Sequence, residues 1–195
     1  MKKALIVLIV AVSVLVANSC SIRRPYMVDE PVKKAPSEGK ALVNFVRPSS
    51  TGYAAKATVW DGDKLIGVSF GKQSFQYECD PGKHLFIAWS EYKSPVEAEL
   101  EAGKVYFIAL RVGMGWWRGR IHQVPVNKSN PLWPEVVSAL KTNPNRGFQT
   151  SAIAEAEAEG KAKIREYLSY YDKEVKGTKH VSYLNRQDGV SPGGF

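Results

Sequence analysis

Short apolar stretches alternate with turn residues along the middle of the chain, from Ala41 to about residue 126. β-Branched and aromatic residues fill these stretches, and Gly, Pro and Asp interrupt them at intervals of roughly 8 to 12 residues, a spacing typical of all-β folds. The pattern predicts strands at 41–47, 55–61, 64–70, 73–79, 84–91, 95–101, 104–112 and 119–126. We therefore expect a mainly β fold over residues 41–130, an immunoglobulin-like sandwich of about 7 to 8 short antiparallel strands.

Two of these strands differ in how their faces are patterned. Strand 95–101 alternates apolar residues with Glu97, Glu99 and Glu101, so one of its faces should contact water. Strand 104–112 has apolar residues on both faces, so both faces need a cover. The partner sheet would cover one face, and another part of the chain must cover the second.

A long amphipathic helix is predicted over residues 151–176, within a helical extension at 131–177. Its apolar residues recur every three or four positions and form one stripe: Ile153, Ala156, Gly160, Ile164, Tyr167, Tyr171 and Val175. We expect this helix to dock on the domain and to supply the second cover of strand 104–112. An arm that binds a second copy or another protein is the alternative.

Charged residues support this helix. Glu157 and Glu159 each precede a lysine by four positions, Lys161 and Lys163, and each such ion pair stabilises a helix by roughly 0.2–0.5 kcal/mol. A shorter helix is predicted to begin near Pro134, because proline is favoured in the first turn of a helix. Residues 178–195 are predicted to be an extended, partly disordered tail with a frayed end.

The start of the chain has the order of charge and hydrophobicity that marks a secretory signal. Two lysines precede an aliphatic run at residues 4–17 that is shorter than the roughly 20 residues needed to cross a bilayer. The run ends in "ANSC", residues 17–20, which resembles the lipobox of bacterial lipoproteins. The resemblance implies a lipoprotein signal peptide at 1–19, cleavage by signal peptidase II, and lipidation of Cys20, palmitate being a typical acyl chain. Soluble secretion with an incidental cysteine is the alternative.

Residues 20–40 follow as the lipidated N-terminus and a flexible tether, because prolines and charges occur there without an apolar period. Ser21, rather than Asp, after the cysteine resembles lipoproteins sorted to the outer membrane of Gram-negative bacteria. We therefore expect the protein in the bacterial envelope, with the lipid bilayer as a partner. If the source is Gram-negative, it would face the periplasm from the cell outer membrane.

The net charge of the chain limits the classes of partner that we expect it to bind. The formal net charge is +8, and removing the two signal lysines leaves +6. A positive domain favours anionic lipid headgroups or envelope polymers, and Arg23 and Arg24 stand beside the predicted anchor. An excess of lysine that only keeps the protein soluble is the alternative. Nucleic acid is not an expected partner outside the cytoplasm.

No pattern in the sequence predicts a catalytic residue, a metal site or a cofactor. Lipidation of Cys20 leaves Cys79 without an intrachain partner, and we interpret Cys79 as a small buried apolar residue of its strand. His84, His122 and His180 are far apart and lack the spacing of zinc ligands. We expect a protein without enzymatic activity; an uncharacterised hydrolase is the alternative.

The stretch "GMGWWRGR", residues 113–120, is the candidate binding segment. Adjacent tryptophans in an extended chain point in opposite directions, so one of Trp116 and Trp117 should be exposed, near Arg118 and Arg120. Such a group can stack on a sugar ring, lie in a lipid interface or anchor a protein partner. An aromatic-filled bulge at the end of the sandwich is the purely structural alternative.

The turn motifs and their order resemble a known family. The relevant residues are Arg47-Pro48, Asp61-Gly62, Pro81-Gly82-Lys83-His84 and Ala102-Gly103-Lys104 with Tyr106. On these residues, the region 41–126 resembles the bacterial envelope lipoproteins of domain of unknown function family 2846. The resemblance implies a small β-sandwich and brings no catalytic residues. We therefore expect a membrane-anchored, non-enzymatic binding or assembly module of the envelope, with a protein or peptidoglycan partner; a peptidoglycan-binding module that uses Trp116 and Trp117 is the alternative.

Overall fold

The computed structural model describes residues 27–113, 120–148 and 150–195. The strands in these ranges are β1 Met27–Asp29, β2 Ala41–Arg47, β3 Lys56–Asp61, β4 Lys64–Phe70, β5 Gln73–Cys79, β6 Gly82–Trp89, β7 Lys93–Leu100, β8 Val105–Gly113, β9 Arg120–Val126, β10 Arg146–Phe148 and β11 Ser182–Leu184. The α-helices are α1 Trp133–Thr142 and α2 Thr150–Tyr170, and a π-helical turn, Tyr171–Val175, extends α2. The predicted mainly β fold with one short and one long helix is confirmed.

Two packed sheets form a β-sandwich. One sheet has five strands in the order β11-β7-β6-β3-β4, and the other has four in the order β5-β2-β8-β9. All eight predicted strands are present, with ends within two residues of the predicted ones. Most pairings are antiparallel, but β2 pairs with β8 and β11 pairs with β7 in parallel. Between β2 and β8 the chain passes through strands of the five-stranded sheet. It therefore enters β8 from the same end of the sandwich at which β2 begins.

Aromatic and aliphatic residues fill the space between the sheets. The rings of Phe45 and Phe75 stack with centroids 4.7 Å apart, and Phe86 from the opposite sheet meets Phe45 edge-on at 5.4 Å. Cys79 lies in this core with 6% of its surface exposed. The prediction that Cys79 is a buried apolar residue of its strand is therefore confirmed.

The outer face of the four-stranded sheet is covered by α1. Val136, Ala139 and Leu140 of this helix pack on Val105 and Phe107 of β8 and their neighbours. The prediction that residues 151–176 cover this face was wrong. Apolar residues on both faces of a strand show that a second cover is needed, but not which helix supplies it. A short connection leads from β9, the neighbour of β8, directly into α1, and successive elements usually pack together.

Helix α2 covers the outer face of the five-stranded sheet. Its residues Ile164 and Tyr167, together with Tyr171 of the π-helical turn, are buried against Trp60, Leu65 and Ile87. The Tyr171 hydroxyl donates a 2.7 Å hydrogen bond to Glu97, so the predicted wet face of strand 95–101 lies partly beneath the helix. Docking of the predicted stripe on the chain's own domain is confirmed, although on the other sheet.

The segment before β2 is held on the domain from Met27 onward. Strand β1 pairs with β10, and the Lys33 backbone N–H donates to Gln76 Oε1 over 2.7 Å. For residues 27–40 this corrects the prediction of a flexible tether over 20–40, of which residues 20–26 lie outside the described residues. Backbone pairing, the apolar side chain of Val32 and polar contacts such as those of Ser37 with Glu78 hold it, and such contacts leave no periodic pattern in a sequence.

The C-terminal residues are also docked, which corrects the prediction of a frayed tail. Val190 and Val105 exchange two backbone hydrogen bonds of 2.9 Å, and the ring of Phe195 lies 5.1 Å from that of Phe107. The Pro and Gly residues there form a turn that brings Phe195 back to the core. Within the described ranges, no helix has the length and apolar character needed to span a membrane.

Candidate functional site

Several described connections lie at one end of the sandwich, which we call the loop end. Two of them are residues 48–55 and residues 90–92, and the end of β8 and the start of β9 lie beside them. A Cβ placed on Gly52 would lie 2.6 Å from Val112 Cγ1, so the first connection runs against the end of β8. The Ile121 N–H donates to Ser90 Oγ over 3.3 Å, which ties the second connection to the start of β9.

Arg47 fixes the shape of connection 48–55. Its side chain is buried, and its two terminal nitrogens donate to the carbonyl oxygens of Ala55 at 2.7 Å, Thr51 at 3.2 Å and Gly52 at 2.6 Å. Burial lowers the pKa of the guanidinium, but arginine stays charged at any physiological pH. A planar guanidinium donates to several carbonyls from separate nitrogens held in one plane, whereas a lysine has a single nitrogen.

This connection forms one wall of an open groove of about 1110 Å³. The other walls come from the ends of β3 and β6 and from the first half of α2. The residues that line it, and define the groove, are Gly52, Tyr53, Ala54, Ala55, Lys56, Thr58, Trp60, Trp89, Ser90, Glu91, Ala156, Glu159, Gly160 and Lys163. Positions 156, 159, 160 and 163 share one face of α2 because they are three or four apart.

Gly160 sets how closely the helix approaches the sheet at the groove. A Cβ at this position would lie 2.5 Å from Cζ2 and 2.8 Å from Cη2 of Trp60. Trp60 is buried, and its indole N–H donates to Thr58 Oγ1 over 2.9 Å, so the ring cannot move aside freely. The helix therefore crosses directly above Trp60. The contact between Gly160 and the Trp60 ring closes the bottom of the groove, and we call it the floor.

Two further aromatic side chains flank the groove. Tyr53 has 60% of its surface exposed and meets Phe70 edge-on at 5.1 Å. Trp89, at the end of β6, is half-buried, and the Lys93 ammonium lies 4.9 Å from its ring centroid. Exposed or half-exposed aromatic rings on a fixed backbone are typical of ligand-binding surfaces.

The charges of the groove are largely uncompensated. The Glu157–Lys161 pair predicted from the sequence is present at 3.0 Å. The Glu159–Lys163 ion pair was also predicted, but the structure has no such pair, and both residues line the groove instead. Among the described residues, Lys56, Glu159 and Lys163 take part in no ion pair, whereas Glu91 has an interaction of its own. One face of α2 thus presents unpaired charges of both signs.

The sequence-predicted site residues are only partly placed. Cys20, Trp116, Trp117 and Arg118 lie outside the described residues. Arg120 is the first residue of β9, and it is exposed at the loop end. The described part of the chain therefore places one of the four predicted binding residues, close to the connections that build the groove.

A second polar cluster surrounds His84 at the opposite end of the sandwich. Its Nδ1 lies 2.7 Å from Asp61 Oδ2, which also accepts a 3.1 Å hydrogen bond from the Tyr77 hydroxyl. Its Nε2 lies 2.9 Å from the Asp80 carbonyl oxygen. The hydrogen bonds to Asp61 and to Cys79 raise the pKa of His84 to about 10, so the ring is a cation that donates from both nitrogens.

This cluster does not suit proton abstraction or metal binding. A histidine protonated at neutral pH cannot act as a general base, and the neighbouring Cys79 is buried. Burial also raises the pKa of the Tyr77 hydroxyl above its ordinary value, which keeps Tyr77 neutral. No group of three or more His, Cys, Asp or Glu residues in the described ranges has an arrangement that could hold a metal ion.

Sequence reasoning missed the groove residues. Tyr53, Lys56, Trp89 and Lys163 come from a loop, two strand ends and a helix that are distant in the sequence. One local signal existed: in "TGYAAK", a single aromatic residue stands among small ones in a predicted turn. Small neighbours leave a large side chain at such a position uncovered, and Tyr53 is 60% exposed.

Comparisons of the chain with known protein families, with curated proteins and with solved structures found no match. The resemblance of residues 41–126 to the envelope lipoprotein family thus stays a prediction from turn motifs. The groove and the N-terminal sequence are therefore the features of the chain that bear on its function.

Proposed function

We propose that the protein is a lipid-anchored, non-enzymatic binding module of the bacterial envelope, and that its ligand binds in the groove. The groove itself carries the proposal, because it combines a rigid floor, half-exposed aromatic rings and unpaired charges in one open site. Sites for small ligands and polymers typically join apolar walls to a few fixed polar groups.

The N-terminal sequence supports the anchor. Cys20 follows an aliphatic run and small residues, as in bacterial lipoproteins. Six residues lie between Cys20 and Met27, and the seven steps from one Cα to the next span at most about 25 Å. Met27 pairs with Phe148, two residues before α2 and its groove-lining face. An acylated Cys20 would therefore keep the groove near the membrane surface.

The chemistry of the described side chains favours binding over catalysis. The hydroxyl of Ser90, which lines the groove, already accepts hydrogen bonds from the Ile121 and Tyr92 backbone N–H groups. The Cys79 thiol and the His84 ring lie in the other cluster, where the thiol is buried and the ring is protonated. Nucleophilic catalysis needs an accessible nucleophile beside a neutral base.

The anchor is tested by metabolic labelling of cells with an alkyne fatty acid. The wild-type protein should incorporate the label and separate with the membranes, and Cys20→Ser should lose both properties and accumulate as a precursor. Globomycin, which inhibits signal peptidase II, should cause the same accumulation. Incorporation that survives in Cys20→Ser would contradict the proposed site.

Ligand binding in the groove is tested in cells with a photo-crosslinking phenylalanine analogue. Placed at Tyr53, the probe should give a discrete adduct in cells. The same protein, purified and irradiated without ligand, should not give this adduct. Tyr183, 49% exposed and outside the groove, is the matched control position. Equal adducts at both positions would show that the groove is not a preferred site.

Peptidoglycan binding through Trp116 and Trp117 is the second candidate. The position of Arg120 at the loop end favours it, because this strand start follows the tryptophan segment. Purified peptidoglycan sacculi should retain the wild-type protein and not Trp117→Ala. Equal retention of the two proteins would exclude this segment as the binding site.

A further inference from the structure

We infer that the groove binds an acidic glycan, whose sugar rings stack on Trp89 and Tyr53 and whose carboxylates pair with Lys56 and Lys163. The inference rests on the proposed function in one respect, since it takes the groove as the ligand site. It adds the chemical class of the ligand and the residues that select it.

The aromatic residues of the groove suit sugar rings. Trp89 is held on both sides by backbone pairing, with Thr58 of β3 and with Lys93 of β7. The Lys93 ammonium over its ring further limits how the indole can turn. Tyr53 stands on the opposite wall, on the connection that Arg47 fixes. The apolar faces of sugars stack on such rings, which lose little conformational entropy on binding.

The charges of the groove select a carboxylated polymer. Of the four charged residues that line it, Glu91 is already engaged, which leaves two lysines and one glutamate. The two lysines stand on opposite walls, Lys56 at the start of β3 and Lys163 on α2, so a polymer lying along the groove passes between them. Glu159 is an acceptor for the hydroxyl or amide groups of the same sugars.

The same lining argues against an acyl chain. Among the described residues that line the groove, the aliphatic ones are all Ala, and no Leu, Ile, Val, Met or Phe takes part. Sites that enclose lipid chains bury them against large apolar side chains and keep unpaired charges out, because burying such charges is costly. An open groove with three unpaired charges is suited to a hydrated polymer.

The test is calorimetric titration of the full-length, lipidated protein in detergent micelles. The probe is a preparation of glycan strands freed from purified peptidoglycan, whose muramic acid residues carry carboxylates. An oligomer of N-acetylglucosamine of similar length provides the neutral comparison. The acidic strands should bind at least about tenfold more tightly than the neutral oligomer, and the difference should shrink as salt is added.

Four variants locate the site. Tyr53→Ala should weaken the binding of the acidic strands about tenfold. The double variant Lys56→Glu and Lys163→Glu should remove the preference for the acidic strands over the neutral oligomer. Tyr183→Ala and Lys173→Glu make the same changes at exposed positions outside the groove, and they should bind as the wild type does. Equal melting temperatures show that all four variants are folded.

Three results would overturn the inference. Equal affinity for acidic and neutral glycans would show that the lysines do not select the ligand. Unchanged affinity in Tyr53→Ala and in the double variant would place the glycan elsewhere. Binding of neither glycan would exclude this ligand class, while adducts from the photo-crosslinking probe at Tyr53 would still support a ligand of another class in the groove.

Discussion

At the scale of single residues, His84 shows how one partly buried ion pair fastens an end of the sandwich. Its ring joins Asp61, at the end of β3, to the Asp80 carbonyl, which follows β5, and it stacks on Phe86 at 5.6 Å. Because β3 and β5 belong to different sheets, the charged ring links the two layers. The raised pKa of His84 means that folding favours its protonated form.

The stability that His84 provides should therefore depend on pH in a definite direction. It is fully present below the ordinary histidine pKa of 6.5, and it is lost as the pH rises through about 10. We predict that the difference in unfolding free energy between the wild type and His84→Phe shrinks over this window. Denaturant unfolding at several pH values measures it.

The control for this experiment is His180→Gln, which removes an exposed histidine. It should leave the pH dependence of the wild type unchanged between about pH 6.5 and 10. A difference between wild type and His84→Phe that stays constant or grows with pH would show that the folded protein does not hold the ring as a cation.

At the scale of elements, α2 packs closely on the five-stranded sheet because Gly160 has no side chain where the helix crosses Trp60. Alanine normally stabilises a helix over glycine by roughly 0.5–1 kcal/mol. At position 160, the added methyl group would collide with the Trp60 ring. We predict that Gly160→Ala lowers the unfolding free energy by about 1–3 kcal/mol, the usual cost of overpacking a core, as measured by denaturant titration.

Ser169→Ala, on the exposed side of the same helix, should be neutral or slightly stabilising. If Gly160→Ala also stabilised the protein, the helix would not lie as close to Trp60 as described. The paired comparison separates helix propensity from packing, because both variants gain propensity and only one loses fit.

The elements themselves could largely be predicted from the sequence, because alternation and helical spacing are local properties of the chain. The faces of β8 and the stripe of α2 are examples. The pairing of α2 with the five-stranded sheet could not be predicted, since an apolar stripe specifies a buried face and not its partner. The groove could not be predicted for the same reason: Lys56 and Lys163 line one groove only because α2 packs on the five-stranded sheet.

At the scale of the whole molecule, the last 46 residues pack against both sheets of the sandwich. Helix α2 covers the five-stranded sheet, β11 extends that sheet beside β7, and Val190 and Phe195 then reach the outer face of the other sheet. Arg186 is fixed on the way by a 2.8 Å ion pair with Glu99. Removing this segment would therefore expose apolar surface on both layers at once.

We predict that a chain ending at Thr150 aggregates, because Trp60, Leu65 and Ile87 lose their cover on one sheet while Phe107 loses Phe195 on the other. Size-exclusion chromatography and binding of a hydrophobic dye measure the outcome. A chain ending at Asp188 is the matched control: it keeps α2 and β11 and loses only the contacts of Val190 and Phe195, so it should stay soluble with a lower melting temperature. A monomeric Thr150 fragment with the melting temperature of the intact protein would mean that the sandwich is complete without its C-terminal segment. The groove would then be built from an accessory helix, and not from the folding unit that the packing of both sheets indicates.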